Sequence, residues 1–147
     1  IYGPRMGMAH GIPEKLMQIW ESGANTEIEV ASPEHTRTFC FIDDATEMLV
    51  KIIENDKTSG ETINLGADRP EVTINDVVRL CLKVTGKSLT LVPSSDTPGS
   101  PRRRAPEIAT ARRLLAFEPI ITLEEGLERT WKWYRDEVFR AEKSRKN

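Results

Sequence analysis

A chain of 147 residues, 38% hydrophobic and 30% charged, is long enough to bury one core and has the composition of an ordinary globular domain. Its 21 basic and 23 acidic side chains give a net charge of −2, which excludes an overall positive field attracting nucleic acid or an anionic membrane. We therefore expect neither as a partner, and no stretch reads as a transmembrane helix.

The first third of the chain predicts one helix and two strands. An irregular loop precedes a helix that starts at Pro13, a residue favoured in the first helical turn, and stops at Gly23. Residues 26–30 and 38–42 are rich in β-branched and aromatic side chains, which is typical of short strands. The turn between them is compatible with a hairpin or with two separate strands.

A second helix is predicted to follow Asp43 and Asp44, because a carboxylate at this position can cap exposed helical amide groups. Apolar residues recur on one face of this helix: Ala45, Met48, Leu49, Ile52 and Ile53. Residues 61–65 then predict a short strand that ends in a loop at Gly66.

The second half of the chain also alternates between predicted helices and strands. Thr73 is the predicted start of a helix that Gly86 ends, and residues 89–92 predict a strand. Residues 93–101 are rich in Ser, Pro and Gly and predict a surface loop, and a short helix is expected over residues 108–115.

The last predicted helix starts at a capping box, Thr122 to Glu125, and places four apolar residues on one stripe: Leu127, Trp131, Tyr134 and Val138. The stripe assigns Trp131 to the core, and the tail from Arg140 is charged and expected to fray. Helices alternating with a few short strands predict an α/β fold, or α+β in isolation, with a small sheet and several helices.

Cys40 and Cys81 lie in apolar runs, which favours buried thiols over a disulfide and fits a reducing, cytoplasmic setting. His10 and His35 belong to no cluster with the spacing of metal ligands, so we predict no metal site.

Arginines on two loops are the candidates for a binding site. Arg37 follows a turn, and residues 102–104 are three consecutive arginines after the Pro/Ser-rich loop. A guanidinium can donate two parallel hydrogen bonds to phosphate oxygens, so two such loops could clamp a diphosphate, with Lys15 near a helix start as a third contact. From spacing alone, a solvated or salt-bridged surface is the favoured explanation of three neighbouring arginines.

The chemistry needed for catalysis is missing from this sequence. It contains no glycine-rich phosphate loop, no Ser/His/acid arrangement and no Tyr-x-x-x-Lys. We therefore predict no catalytic residue in the chain.

Several segments, in order, resemble the later half of the extended short-chain dehydrogenases that act on nucleotide sugars. The matching segments are YGPRM at 2–6, TRTFCFIDD at 36–44, NLG at 64–66, RAPEI at 104–108, FEP at 117–119 and LEEGL at 123–127. Each is weak by itself, but their order and spacing identify the family. One departure is the segment 31–34, ASPE, where the family usually has a Gly-x-Gly turn.

The resemblance implies a division of labour within a longer enzyme. Residues 1–147 would be the C-terminal nucleotide-sugar-binding domain, and an N-terminal Rossmann domain, absent from this chain, would hold NAD or NADP with the catalytic tyrosine and lysine. The first residue is not methionine, so we expect that the chain was cut.

The resemblance also assigns roles to individual residues. Arg37 and Arg104 would bind the diphosphate, Lys15 and Leu16 would line the nucleotide site, and the backbone near Val30 would touch the base. Tyr2 and Pro4 would lie beside the cofactor.

The implied function is the substrate-binding part of an NAD-dependent epimerase or dehydratase for a UDP- or dTDP-sugar, inactive without its other half. The full-length enzyme would be a homodimer. Alternatives are a nucleotide-sugar decarboxylase, or a non-catalytic binding or assembly module of the same fold.

Overall fold

The computed structural model describes residues 1–9 and 11–141, so His10 and the tail beyond 141 lie outside it, together with the predictions made for them. Within the described residues there are five α-helices: α1 Gly11–Glu21, α2 Ile42–Ile53, α3 Ile74–Thr85, α4 Ala109–Leu115 and α5 Leu123–Trp133. Five short strands accompany them: β1 Glu27–Ala31, β2 Thr36–Arg37, β3 Val72–Thr73, β4 Thr90–Ser94 and β5 Arg103–Arg104. The predicted α/β class is confirmed. None of the helices in these ranges is long and apolar enough to cross a membrane.

The strands form two small sheets. In one, β1 and β4 pair in parallel, with Val30 opposite Pro93. In the other, the order is β3-β2-β5, and β2 runs antiparallel to β3 and parallel to β5. Since β1 and β2 belong to different sheets, the hairpin alternative is wrong.

The strand predicted at residues 38–42 is wrong in its position, because the paired residues are Thr36–Arg37. Within 38–42, Phe41 forms an isolated parallel bridge with Tyr2. The rings of Phe39 and Phe41 pack edge-on against Tyr2, with ring centroids 5.9 and 5.6 Å away. The aromatic side chains here pack against Tyr2 at the start of the chain. The same apolar, aromatic-rich pattern occurs in a paired strand, so the sequence does not distinguish the two.

The main core lies between α1, α3, α5 and β1, where Leu16, Ile19, Cys81 and Leu127 have no exposed surface. Trp131 is 8% exposed, which confirms its predicted place in the core.

The predicted boundaries of two core helices follow from local capping. At α3, Thr73 and Asp76 exchange hydrogen bonds as a capping box, and Gly86 ends the helix in the left-handed region with φ 68°. At α5, the Thr122 side chain accepts a hydrogen bond from the backbone amide of Glu125.

The chain beyond α5 departs from the predicted stripe. Residues Tyr134–Phe139 are π-helical, and this winding brings residues five apart onto one face. Tyr134 and Phe139 are therefore both buried, with stacked rings 5.8 Å apart, where a regular helix would have buried Val138.

Helix α2 starts at Ile42 without a side-chain cap, so the capping prediction for Asp43 and Asp44 is wrong. Asp44 is buried and accepts a hydrogen bond from the Ile121 amide at 3.0 Å, while Asp43 pairs with Arg129 at 3.2 Å. Both carboxylates fix α2 to the segment around α5.

The predicted apolar face of α2 is only partly buried. Met48 is fully enclosed, but Leu49 and Ile53 are 48 and 76% exposed. The predicted strand at residues 61–65 is likewise absent, since this segment has no regular structure. A strand needs a neighbouring strand to accept and donate its backbone hydrogen bonds, and none of the described strands pairs with this segment.

Both cysteines are buried free thiols, as predicted. Burial raises the pKa of Cys40 to about 11 and that of Cys81 to about 12, so neither forms a thiolate near neutral pH.

Candidate functional site

Strands β2 and β5 place Arg37 and Arg104 side by side. The two arginines are register partners in the parallel pair. The Thr36 amide donates to the Arg102 carbonyl at 2.8 Å and the Thr38 amide to the Arg104 carbonyl at 3.4 Å, which fixes this register. Neighbouring strands lie roughly 4.8 Å apart, and register partners point to the same face. Two loops that are distant in sequence therefore deliver two guanidinium groups to one place.

Neither guanidinium is neutralised by a carboxylate within the part of the chain that the structure describes. Arg37 donates instead to neutral acceptors, the Thr36 carbonyl at 2.6 Å and the Ser100 hydroxyl at 2.8 Å. Burial and the positive charge of Arg104 both lower the pKa of Arg37. Arg104 is exposed. The pair is thus an uncompensated positive site, and an anion bound between the two groups would relieve their repulsion.

Other arginines of the chain are held by acidic partners. Arg103 contacts Glu71 at 2.8 Å, and Arg129 contacts Asp43 at 3.2 Å. Arg112 lies between Asp68, at 2.6 Å, and Glu118, which together raise its pKa. The salt-bridged-surface alternative therefore describes Arg103 and does not describe Arg37 or Arg104.

The two arginines line a cavity of about 330 Å³, near the lower end of the range for small-molecule sites. Most of the lining belongs to three of the matching segments, 36–44, 64–66 and 104–108, and Ile1 and Ala67 complete it. The lining residues are Ile1, Arg37, Thr38, Cys40, Leu65, Gly66, Ala67, Arg104, Ala105 and Pro106. A methyl group added at Gly66 would lie 3.1 Å from Pro106, so glycine is what allows these two walls to meet.

The other predicted substrate contacts lie away from this cavity. Lys15 donates to the Glu29 carbonyl at 2.9 Å and to Gln18 at 2.7 Å, and burial lowers its pKa. Leu16 and Val30 are 0 and 1% exposed and pack in the core. Their roles in the nucleotide site stay predictions.

The two predicted cofactor contacts also lie outside the cavity. Tyr2 is 3% exposed, and its hydroxyl donates to the Leu123 carbonyl at 3.1 Å. Pro4 lines a separate depression beside Arg129, Lys132 and Trp133. With the Tyr2 hydroxyl engaged internally and no glycine-rich loop in the sequence, the residues described here do not fit a self-contained dinucleotide site.

Sequence reasoning missed Ser100 and Glu71. Ser100 orients Arg37 from 63 positions away, across the Pro/Ser-rich loop, and Glu71 binds both Thr36 and Arg103. No local sequence pattern indicates these hydrogen-bonded pairs, because they depend on the path of a loop and on strand register. Among the described residues, no group of three or more His, Cys, Asp or Glu side chains is arranged to hold a metal ion.

No family model matches the chain. UDP-glucuronic acid decarboxylase 1 of Xenopus tropicalis is 32% identical over 139 residues, which are 93% of this chain and 32% of that protein. UDP-glucuronic acid decarboxylase 5 of Arabidopsis thaliana is 32% identical over 129 residues, which are 86% of this chain and 36% of that protein. The chain thus spans about a third of the length of these relatives.

Solved structures give the same result. UDP-glucuronic acid 4-epimerase from Bacillus cereus, in complex with UDP-glucuronic acid and NAD, superposes with a TM-score of 0.80 at 30% identity. The match covers 91% of this chain and 42% of the epimerase. Sequence and fold together make the chain a homologue of the NAD-dependent nucleotide-sugar epimerases, dehydratases and decarboxylases of the extended short-chain dehydrogenase family, as its motifs predict.

Proposed function

We propose that the chain is the substrate-binding part of an NAD-dependent nucleotide-sugar epimerase or dehydratase, in which Arg37 and Arg104 bind the diphosphate of a UDP- or dTDP-sugar. The observation that carries the proposal is the register pairing of these two arginines on adjacent strands. Both line one cavity, and neither has an acidic partner among the described residues.

The chemistry of a diphosphate matches this arrangement. Its oxygens carry two negative charges on neighbouring phosphorus atoms, and each guanidinium offers a planar pair of donors to such oxygens. Arg37 is already oriented by Ser100 and by the Thr36 carbonyl, so little side-chain freedom is lost when it binds. Binding the anion also removes the repulsion between the two cations, which favours the complex over the empty site.

The remaining parts of the enzyme would supply the chemistry. NAD or NADP and the catalytic tyrosine and lysine belong to a preceding Rossmann domain in this proposal, so the chain is inactive by itself. Two features support it: the exposed apolar side chains of α2, and the segment 61–65, which pairs with none of the described strands. A sheet from the preceding domain would cover the first and pair with the second.

The choice of reaction rests on the relatives. Epimerisation or dehydration is the proposal, and the decarboxylase alternative is favoured by the relatives named UDP-glucuronic acid decarboxylase. Glucuronic acid carries a carboxylate on its sugar, so activity of the full-length enzyme on UDP-glucuronic acid, read as release of carbon dioxide or inversion of a hydroxyl, separates decarboxylation from epimerisation. We also propose a cytoplasmic homodimer, and the two free buried thiols are compatible with that compartment.

Calorimetric titration of the chain with UDP, UMP and uridine tests the proposal. Because two guanidinium groups hold the diphosphate, UDP is expected to bind about tenfold or more tighter than UMP, and UMP tighter than uridine. The preference should shrink as salt is raised, since charged groups that are partly exposed are screened. Equal affinities for UDP and uridine would contradict a diphosphate site.

A further inference from the structure

Glu71 connects the two strands that carry the arginine pair. Its carboxylate accepts a hydrogen bond from the Thr36 hydroxyl on β2. It also accepts from Arg103 on β5, with Nε at 2.9 and 3.1 Å and a terminal nitrogen at 2.8 Å. Thr36 and Arg103 are themselves register partners. One carboxylate therefore ties the two strands together at the pair that directly precedes Arg37 and Arg104.

The tie lies on the face of the sheet opposite to the cavity. Successive side chains of a strand point to opposite faces, so Thr36 and Arg103 point away from the side that Arg37 and Arg104 occupy. The cavity lining agrees, because it includes Arg37 and Arg104 and leaves out Thr36, Arg103 and Glu71. The negative charge of Glu71 is thereby kept from the face where a phosphate would bind.

Strands β2 and β5 need the Glu71 carboxylate to hold them together. Each is two residues long, and the like charges of Arg37 and Arg104 repel across their shared edge. Along this edge, the backbone hydrogen bond from the Thr38 amide to the Arg104 carbonyl is long, at 3.4 Å. A carboxylate that holds both strands opposes their separation. Hydrogen bonds from Thr36 and Arg103 lower the pKa of Glu71, so this carboxylate stays ionised near neutral pH.

We infer that Glu71 is a positioning residue for the diphosphate: it sets the distance between Arg37 and Arg104 so that both reach one ligand. The inference rests on the proposed function. Charge alone predicts the opposite effect, because removing the Glu71 carboxylate makes the region more positive and so favours anion binding. A loss of anion affinity on removing Glu71 therefore points to geometry.

The test compares UDP with UMP in calorimetric titrations of Glu71→Ala and of the wild-type chain. A diphosphate needs both arginines at a fixed separation, whereas one phosphate can be held by either. We expect Glu71→Ala to lower the preference for UDP over UMP by about threefold or more, and Glu71→Gln, which keeps the hydrogen bond from Thr36, to lower it less. A variant that is partly unfolded weakens both ligands equally and leaves the ratio unchanged.

The control is Glu47→Ala, which removes a glutamate paired with Lys51 on α2 and should leave the ratio at its wild-type value. Adding Arg103→Ala to Glu71→Ala should cause less loss than the sum of the two single changes, since both act on one tie. A wild-type preference that survives both Glu71 substitutions, or UDP binding that becomes tighter, overturns the inference while the diphosphate site stands. A wild-type chain with no preference for UDP overturns both.

Discussion

Replacing Arg104 with alanine is expected to weaken UDP binding by about 10- to 100-fold, because it removes charge-assisted hydrogen bonding worth roughly 1.5–3 kcal/mol in total at this exposed side chain. The thermal unfolding midpoint should stay unchanged or rise slightly. Arg104 has no acidic partner among the described residues, and its charge opposes that of Arg37. A residue that contributes to binding while disfavouring the ligand-free protein is typical of a functional site.

The matched control is Arg113→Ala. Arg113 is an exposed arginine on α4, outside the cavity lining, so its removal changes the net charge equally and should leave UDP affinity within about twofold. Arg104→Lys should fall between wild type and alanine, because an ammonium keeps the charge and loses the planar donor pair. Equal losses for Arg104→Ala and Arg113→Ala would show that only net charge matters.

Gly126→Ala is expected to destabilise the fold by about 3 kcal/mol, although glycine to alanine inside a helix ordinarily stabilises by about 1 kcal/mol. A methyl group at this position of α5 would lie 2.0 Å from the Tyr2 hydroxyl and 2.8 Å from the Phe41 ring. Both rings are buried, at 3 and 2% exposure, so neither can swing out into solvent. The Tyr2 hydroxyl would also lose its hydrogen bond to the Leu123 carbonyl.

Urea unfolding followed by tryptophan fluorescence measures this effect, with Gly7→Ala as the control. No atom lies within 4 Å of the methyl group that alanine would add at Gly7, so its unfolding free energy should change by less than about 1 kcal/mol. If Gly126→Ala were as stable as the control, the close packing of Tyr2 against α5 would be wrong.

The helices could be predicted from the sequence because their signals are local. Thr73 and Gly86 cap α3 through their own backbone neighbourhoods, and Thr122 does the same for α5. The predicted stripe is wrong only beyond Tyr134, where a change from α- to π-helical winding moved the buried position from Val138 to Phe139.

Strand bounds could not be predicted because pairing is not local. The residues that pair, Thr36–Arg37, are polar and look like part of a turn, while the apolar segment 38–42 packs against Tyr2. For residues 61–65 the strand pattern is present, but the described part of the chain supplies no neighbouring strand. A sequence pattern indicates that a segment is able to form a strand, and the presence of a neighbouring strand determines whether the strand forms.

The sequence predicts the chemistry of the arginine site but not its geometry. The donor chemistry singled out Arg37 and the run at 102–104, and the resemblance singled out Arg104. Only the register shows that Arg103 is neutralised by Glu71 while Arg104 stands beside Arg37.

A crystal structure of the chain with bound UDP tests the convergence of the two arginines most directly. We expect guanidinium nitrogens of both Arg37 and Arg104 to lie about 2.7–2.9 Å from oxygens of the same diphosphate. Glu71 should still join Thr36 and Arg103 on the opposite face of the sheet. A diphosphate bound elsewhere, or one that touches a single one of these arginines, would contradict this expectation.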